Sequence, residues 1–231
     1  MSNIARNINS ISERIQSAAK KSDRNPADIT LLAVSKKQSS AAIRQAYHHG
    51  QRHFGENYLQ EALQKQDELA DIPDIEWHFI GPVQSNKTRK IAENFDWLHT
   101  IDRISIAERI SRQRPIGLPP LNVCLQVNID HEPNKAGVDE KETAELAVAV
   151  TRLPAIKLRG LMTIPSAANG PEQQHAAFAK LNQLLKQLQS LCPELATLDT
   201  LSMGMSADLE VAVEEGSTLV RIGTDIFGLR Q

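Results

Sequence analysis

The sequence predicts a closed parallel (β/α)8 barrel of the TIM type, a single α/β domain spanning residues 1–231 with one extra helix before the first strand. Three observations predict it. Eight short apolar or β-branched runs recur along the 231 residues. Most are nearly continuous apolar stretches, as strands buried on both faces should be. Segments of helical period fit between them, and strand–helix alternation of this kind builds a parallel sheet.

The elements follow in order. Ile4, Ile8, Ile11 and Ile15 recur at helical spacing and give an amphipathic helix ahead of any strand. The first strand is read over residues 30–36. Ser39 or Ser40 can cap the next helix, and Gly50 can end it. Strands are then expected over residues 53–57, 77–81 and 97–102. The Pro-rich stretch 114–120 connects a helix to the fifth strand, residues 122–128. A sixth strand, 158–164, precedes a helix marked by the stripe Phe178, Leu181, Leu184, Leu185, Leu188 and Leu191. The seventh covers 200–204, Gly216 closes the following helix, and the eighth covers 219–224. An open doubly wound sheet is the alternative, but no Gly-x-Gly-x-x-Gly follows the first strand. The chain stops at Gln231, shortly after the eighth strand, so no second domain is expected.

Net charge is −2, which favours neither a nucleic-acid nor a membrane-surface partner. No apolar run approaches membrane-spanning length, and the N-terminus has no signal-peptide core. Cys124 and Cys192 are too few for a disulfide framework or a metal cluster. A cytoplasmic protein is expected.

Chemistry concentrates at the ends of the strands, where barrels bind ligands. The first strand runs Leu31-Leu32-Ala33-Val34-Ser35 into Lys36. Beside a low-dielectric interior a lysine can lose its charge, and a neutral amine attacks aldehydes. It can equally mark the exit into solvent, and alternation does not decide between Lys36 and Lys37. Ser202-Met203-Gly204-Met205-Ser206 and Val220-Arg221-Ile222-Gly223-Thr224 end the last two strands. Ser206 reads as a helix N-cap, and with Gly223 it makes the pattern of a phosphate cradle. Asp208 is an awkward neighbour for a dianion unless it points to solvent. Arg221, among apolar neighbours, needs a partner or the wet mouth of the barrel. Asn57 could present an amide to a ligand or cap a helix. His78 reads as a satisfied core histidine. His48, His49 and His53 have some metal-like spacing, but no matching set completes a zinc site, and no metal is expected. No Gly-x-Ser-x-Gly elbow supports a hydrolase triad.

Six blocks together resemble the pyridoxal phosphate homeostasis proteins, the YggS/PROSC type. They are Leu-Leu-Ala-Val-Ser-Lys (31–36), Phe-Gly-Glu-Asn-Tyr (54–58), Trp-His-Phe-Ile-Gly-Pro-Val-Gln-Ser-Asn-Lys (77–87), Gly-Leu-Met-Thr-Ile-Pro (160–165), Ser-Met-Gly-Met-Ser-Ala-Asp (202–208) and Gly-Ser-Thr-Leu-Val-Arg-Ile-Gly-Thr-Asp-Ile-Phe-Gly (216–228). That family is similar to the barrel domain of alanine racemase, a fold type III barrel for pyridoxal 5′-phosphate (PLP). The resemblance implies that Lys36 forms a Schiff base with PLP. It implies that Ser206, Gly223 and Thr224 hold the phosphate, that Arg221 faces the pyridine nitrogen, and that Asn57 lies near the cofactor. The sequence departs from the family after the lysine, where Lys37-Gln38-Ser39 stand without the proline relatives often show.

The implied function is a PLP-binding regulator or carrier rather than an enzyme, a monomer whose partners are PLP and PLP-dependent apo-enzymes. Two alternatives come from other classes. A racemase needs an acid/base group on each face of the cofactor, the second from a further domain, and the chain has two tyrosines, Tyr47 and Tyr58, both early. A class I aldolase would place its lysine later in the barrel.

Overall fold

The computed structural model describes residues 3–132, 135–166 and 170–228. The chain end at Gln231 lies outside them. The helix α1 (Asn3–Lys21) comes first, and then eight strands: β1 (Thr30–Val34), β2 (His53–Glu56), β3 (Glu76–Phe79), β4 (Trp97–Ile101), β5 (Leu121–Gln126), β6 (Ile156–Met162), β7 (Thr200–Ser202) and β8 (Leu219–Ile222). They pair in parallel in sequence order, and β1 closes on β8 with Ala33 opposite Ile222. That closure excludes the open doubly wound sheet. Helices α2 (Ser40–His48), α3 (Leu59–Glu68), α4 (Thr88–Asn94), α5 (Ile104–Gln113), α6 (Glu140–Thr151), α7 (Pro171–Leu191) and α8 (Leu209–Glu214) alternate with the strands, and a short α9 (Thr224–Phe227) follows β8. No helix among the described residues is long and apolar enough to cross a membrane.

The strands end one or two residues earlier than expected from the apolar runs. At the mouth of the barrel the chain leaves the ladder and turns into the loops, so Lys36 and Gly223 lie just beyond β1 and β8. Ser39 does cap α2, its hydroxyl accepting from the Ala42 N–H. Gly50 and Gly216 stand at φ 93° and 103°, the left-handed conformation that ends a helix cheaply with glycine.

The extra helix does more than cover the barrel. Ile4, Ile8, Ile11 and Ile15 are all buried, and α1 packs on α8 and α9. Its Arg14 donates to Glu210 on α8 at 2.7 Å, to Asp225 on α9 at 2.9 Å, and to the carbonyl of Ser206 at 2.9 Å. Asn7 donates to the Ile226 carbonyl at 2.8 Å. The first helix therefore fixes the two loops at the end of the chain relative to each other.

Candidate functional site

A cavity of about 290 Å³ opens at the C-terminal ends of the strands. All six residues singled out above line it: Lys36, Asn57, Ser206, Arg221, Gly223 and Thr224. Val34, Ile80 and Met162 supply apolar wall. That mixture of apolar lining and a few convergent polar groups suits a small-molecule site.

The turn after β1 separates the two lysines. Lys36 is half-buried and faces the cavity, whereas Lys37 is exposed, at φ 61°, with its ammonium over the Tyr58 ring. A buried cluster beneath holds this turn. Lys65 of α3 donates to the Ser35 carbonyl (2.7 Å), to Glu56 (2.7 Å) and to Glu61 (2.6 Å). The Ser35 hydroxyl donates to Glu56, and the Lys37 N–H donates to Glu61. Burial pushes the Glu56 carboxyl up, while Lys65 pulls it back down. The residues on both sides of Lys36 are thus tied to one set of charges. Sequence reasoning missed this cluster, because Glu56 and Lys65 lie on different elements and share no motif.

At the far side, Ser206 lies in the turn before α8 rather than at its N-cap. Asp208 occupies the cap position. Its carboxylate does not reach solvent. It is buried and turned back to accept the Met205 N–H, and burial pushes its carboxyl up from the ordinary carboxylate range. Gly223 crosses Val34 so closely that a Cβ would sit 3.1 Å from the Val34 carbonyl oxygen. Arg221 rises from β8 into the cavity floor. It makes no ion pair among the described residues; it donates to the Ser202 hydroxyl (2.7 Å) and to the carbonyls of Ser202 and Thr163 (2.5 and 2.8 Å). Burial lowers its pKa to about 10, so it remains a cation at neutral pH.

Below Arg221 a chain of imidazoles crosses the barrel interior. His99 meets the Ser202 hydroxyl at 2.8 Å, His78 meets His99 at 2.9 Å, and His53 meets His78 at 3.2 Å. His78 is buried, and both of its ring nitrogens face other imidazoles. Burial lowers the His99 pKa from 6.5 to about 3, with the Arg221 charge adding to it. Between those values the unfolded chain binds a proton that the folded chain refuses, so this group's stability contribution is complete above about pH 6.5 and lost as pH falls towards 3. Each pH unit in that window should cost about 1.4 kcal/mol for this group. Urea unfolding across pH 7 to 5 should show the loss, and His99→Gln should lessen the slope, leaving the part from His78, whose pKa burial also lowers.

The buried Asn57 Oδ1 has no hydrogen-bond partner. Buried acceptors are rarely left so, and a ligand donor at the cavity would satisfy this one. With a neutral cradle, a close-approach glycine and a lysine in the same cavity, the residues present fit PLP.

Comparison with known proteins agrees with this geometry. The chain matches the model of the alanine racemase N-terminal domain over residues 2–231. The pyridoxal phosphate homeostasis protein of Pseudomonas aeruginosa is 57% identical over 230 residues, covering 100% of this chain and 97% of that one. The chain belongs to the pyridoxal phosphate homeostasis family. The structure of PipY of Synechococcus elongatus has been solved with PLP bound; PipY is 42% identical, with a TM-score of 0.84 over 94% of this chain and 100% of its own. Alanine racemase of Corynebacterium glutamicum shares the fold, with a TM-score of 0.67 at 21% identity, and is matched over 61% of its length.

Proposed function

We propose that this chain holds PLP reversibly at the mouth of the barrel and serves intracellular PLP homeostasis by buffering or delivering it. The single observation behind the reading is that Lys36, Asn57, Ser206, Arg221, Gly223 and Thr224 converge on one cavity. Bound there, PLP supplies an aldehyde that a primary amine captures reversibly, together with a phosphate dianion. Lys36 is the amine, held at the rim by the Ser35 and Lys37 anchors. Ser206 and Thr224 offer hydroxyls to the phosphate, and the absence of a side chain at Gly223 lets the backbone approach. Arg221 donates to the ring nitrogen without giving up its proton, which limits the cofactor as an electron sink. Asn57 orients the ring edge.

The racemase reading finds less support. Among the described residues lining the cavity there is no histidine, tyrosine or carboxylate; Lys36 is the one group suited to exchanging a proton. Tyr47 bonds Asp74 on the outer surface, and Tyr58 is 50% exposed outside the cavity. Two-base chemistry needs a second group on the opposite face.

Two experiments test the proposal. PLP-loaded protein given a panel of L- and D-amino acids should show no racemisation or keto-acid release near ordinary enzymatic rates, roughly 1 per second or faster. Turnover at such rates that vanishes in Lys36→Ala would make the protein an enzyme. In the cradle, Ser206→Ala and Thr224→Ala should each weaken PLP retention by about 1.5–3 kcal/mol, the worth of a hydrogen bond to a charged group. Equilibrium dialysis reads this directly, and unchanged affinity in the double variant would reject the phosphate assignment.

A further inference from the structure

The opposite end of the barrel carries a second concentration of chemistry. A cavity of about 300 Å³ lies at the strand starts, lined in part by His53, His78, Trp97, Arg159 and Asp199. His53 opens β2 and Glu76 opens β3, directly opposite it in register; His78 lies two residues further along β3. His53 Nδ1 is 3.2 Å from His78 Nε2 and 3.4 Å from Glu76 Oε2, and one ligand atom from each residue lies within 4.8 Å of the others.

We propose that His53, Glu76 and His78 form a zinc-class divalent metal site on the N-terminal face of the barrel, apart from the lysine cavity. Metal–nitrogen and metal–oxygen bonds of about 2.0–2.2 Å around a tetrahedral centre set neighbouring ligand atoms about 3.3–3.5 Å apart. The two spacings around His53 Nδ1 come close to that. That nitrogen has one in-plane direction for a proton, yet it faces both partners; a cation between the three atoms serves all of them. Two imidazoles and one carboxylate select a borderline metal over magnesium or calcium.

The surroundings resemble those of built metal sites. The other ring nitrogen of His78 bonds His99 at 2.9 Å, the kind of outer hydrogen bond that orients a ligating imidazole. The His78 ring stacks on Trp97, 8° from parallel, and the Trp97 Nε1–H donates to Glu76 Oε2 at 3.2 Å. The neighbouring cation, Arg159, is neutralised by Asp199 at 2.6 Å. His53 and Glu76 are partly exposed, with side-chain accessibilities of 30% and 49%, so the cavity leaves an entry path and a position for water. Three protein ligands with an open fourth position are the pattern of reactive rather than purely structural zinc.

The test uses the full-length chain, stripped with a chelator and dialysed against Zn²⁺, with calorimetry and elemental analysis as readouts. The proposal expects one Zn²⁺ per chain and a visible tetrahedral spectrum when Co²⁺ replaces it. His53→Ala and Glu76→Gln should each weaken binding by more than the roughly 10–100-fold that loss of an outer-shell partner costs. The exposed His49, bonded to Asn9, provides the control, and His49→Ala should bind as the parent does. Both test positions are partly exposed, and urea unfolding verifies that the variants fold. Absence of stoichiometric Zn²⁺ binding, or binding that survives in the His53→Ala, Glu76→Gln double variant, would overturn the site.

Discussion

Lys36→Ala is expected to abolish covalent retention of PLP while leaving the barrel folded. Lys36 sits in a turn past the end of β1 and is half-buried, so truncating it opens no core cavity and should leave the barrel folded. The visible absorbance of bound cofactor should disappear, and borohydride should fix no PLP to the chain. Residual, weaker binding through Ser206, Thr224 and Arg221 should remain detectable by dialysis. Retention of a reducible adduct in the variant would place the reactive amine elsewhere, with Lys37 the first candidate.

Lys65→Met is expected to have the largest effect on stability. The Lys65 and Glu56 side chains are 6% and 0% exposed, and the ammonium donates to Glu56, Glu61 and the Ser35 carbonyl at once. Removing the cation leaves the Glu56 carboxylate buried with no counter-charge; the Ser35 hydroxyl still donates to it, and the Ser35 carbonyl keeps only the Gln38 N–H. Breaking a buried pair from one side costs about 3–5 kcal/mol. Urea unfolding should show that loss, and Glu56→Gln in the same chain should recover part of it by removing the stranded charge. Because Ser35 precedes Lys36, PLP occupancy should fall as well. A Lys65→Met protein with parental stability and parental PLP retention would mean that the cluster does not hold the turn.

The barrel was legible in the sequence because most strands are largely buried on both faces and read as apolar runs, while the helices keep their own period. The strand ends were less legible. Residues 35–36 and 223–224 continue the apolar-to-polar trend of their strands, but the chain has already left the ladder there. This is also why alternation could not separate Lys36 from Lys37: a turn with Lys37 at φ 61°, rather than a continuing pleat, decides their directions. The six candidate site residues were legible from the strand-end rule and the family likeness, and the structure brings them to one cavity. The direction of Asp208 was not legible, because sequence does not show a carboxylate folding back on the Met205 N–H. The Lys65 cluster and the His53–His78–His99 chain were invisible for a common reason. Their members meet across different elements, and the meeting depends on register, such as His53 opposite Glu76 and His78 opposite Trp97.

The most direct test of the central claim is to load the full-length chain with PLP, reduce it with borohydride, digest it and locate the modified residue by mass spectrometry. One pyridoxyl group per chain is expected, on Lys36. Modification at Lys37 or spread over surface lysines, or no stable modification at all, would contradict it.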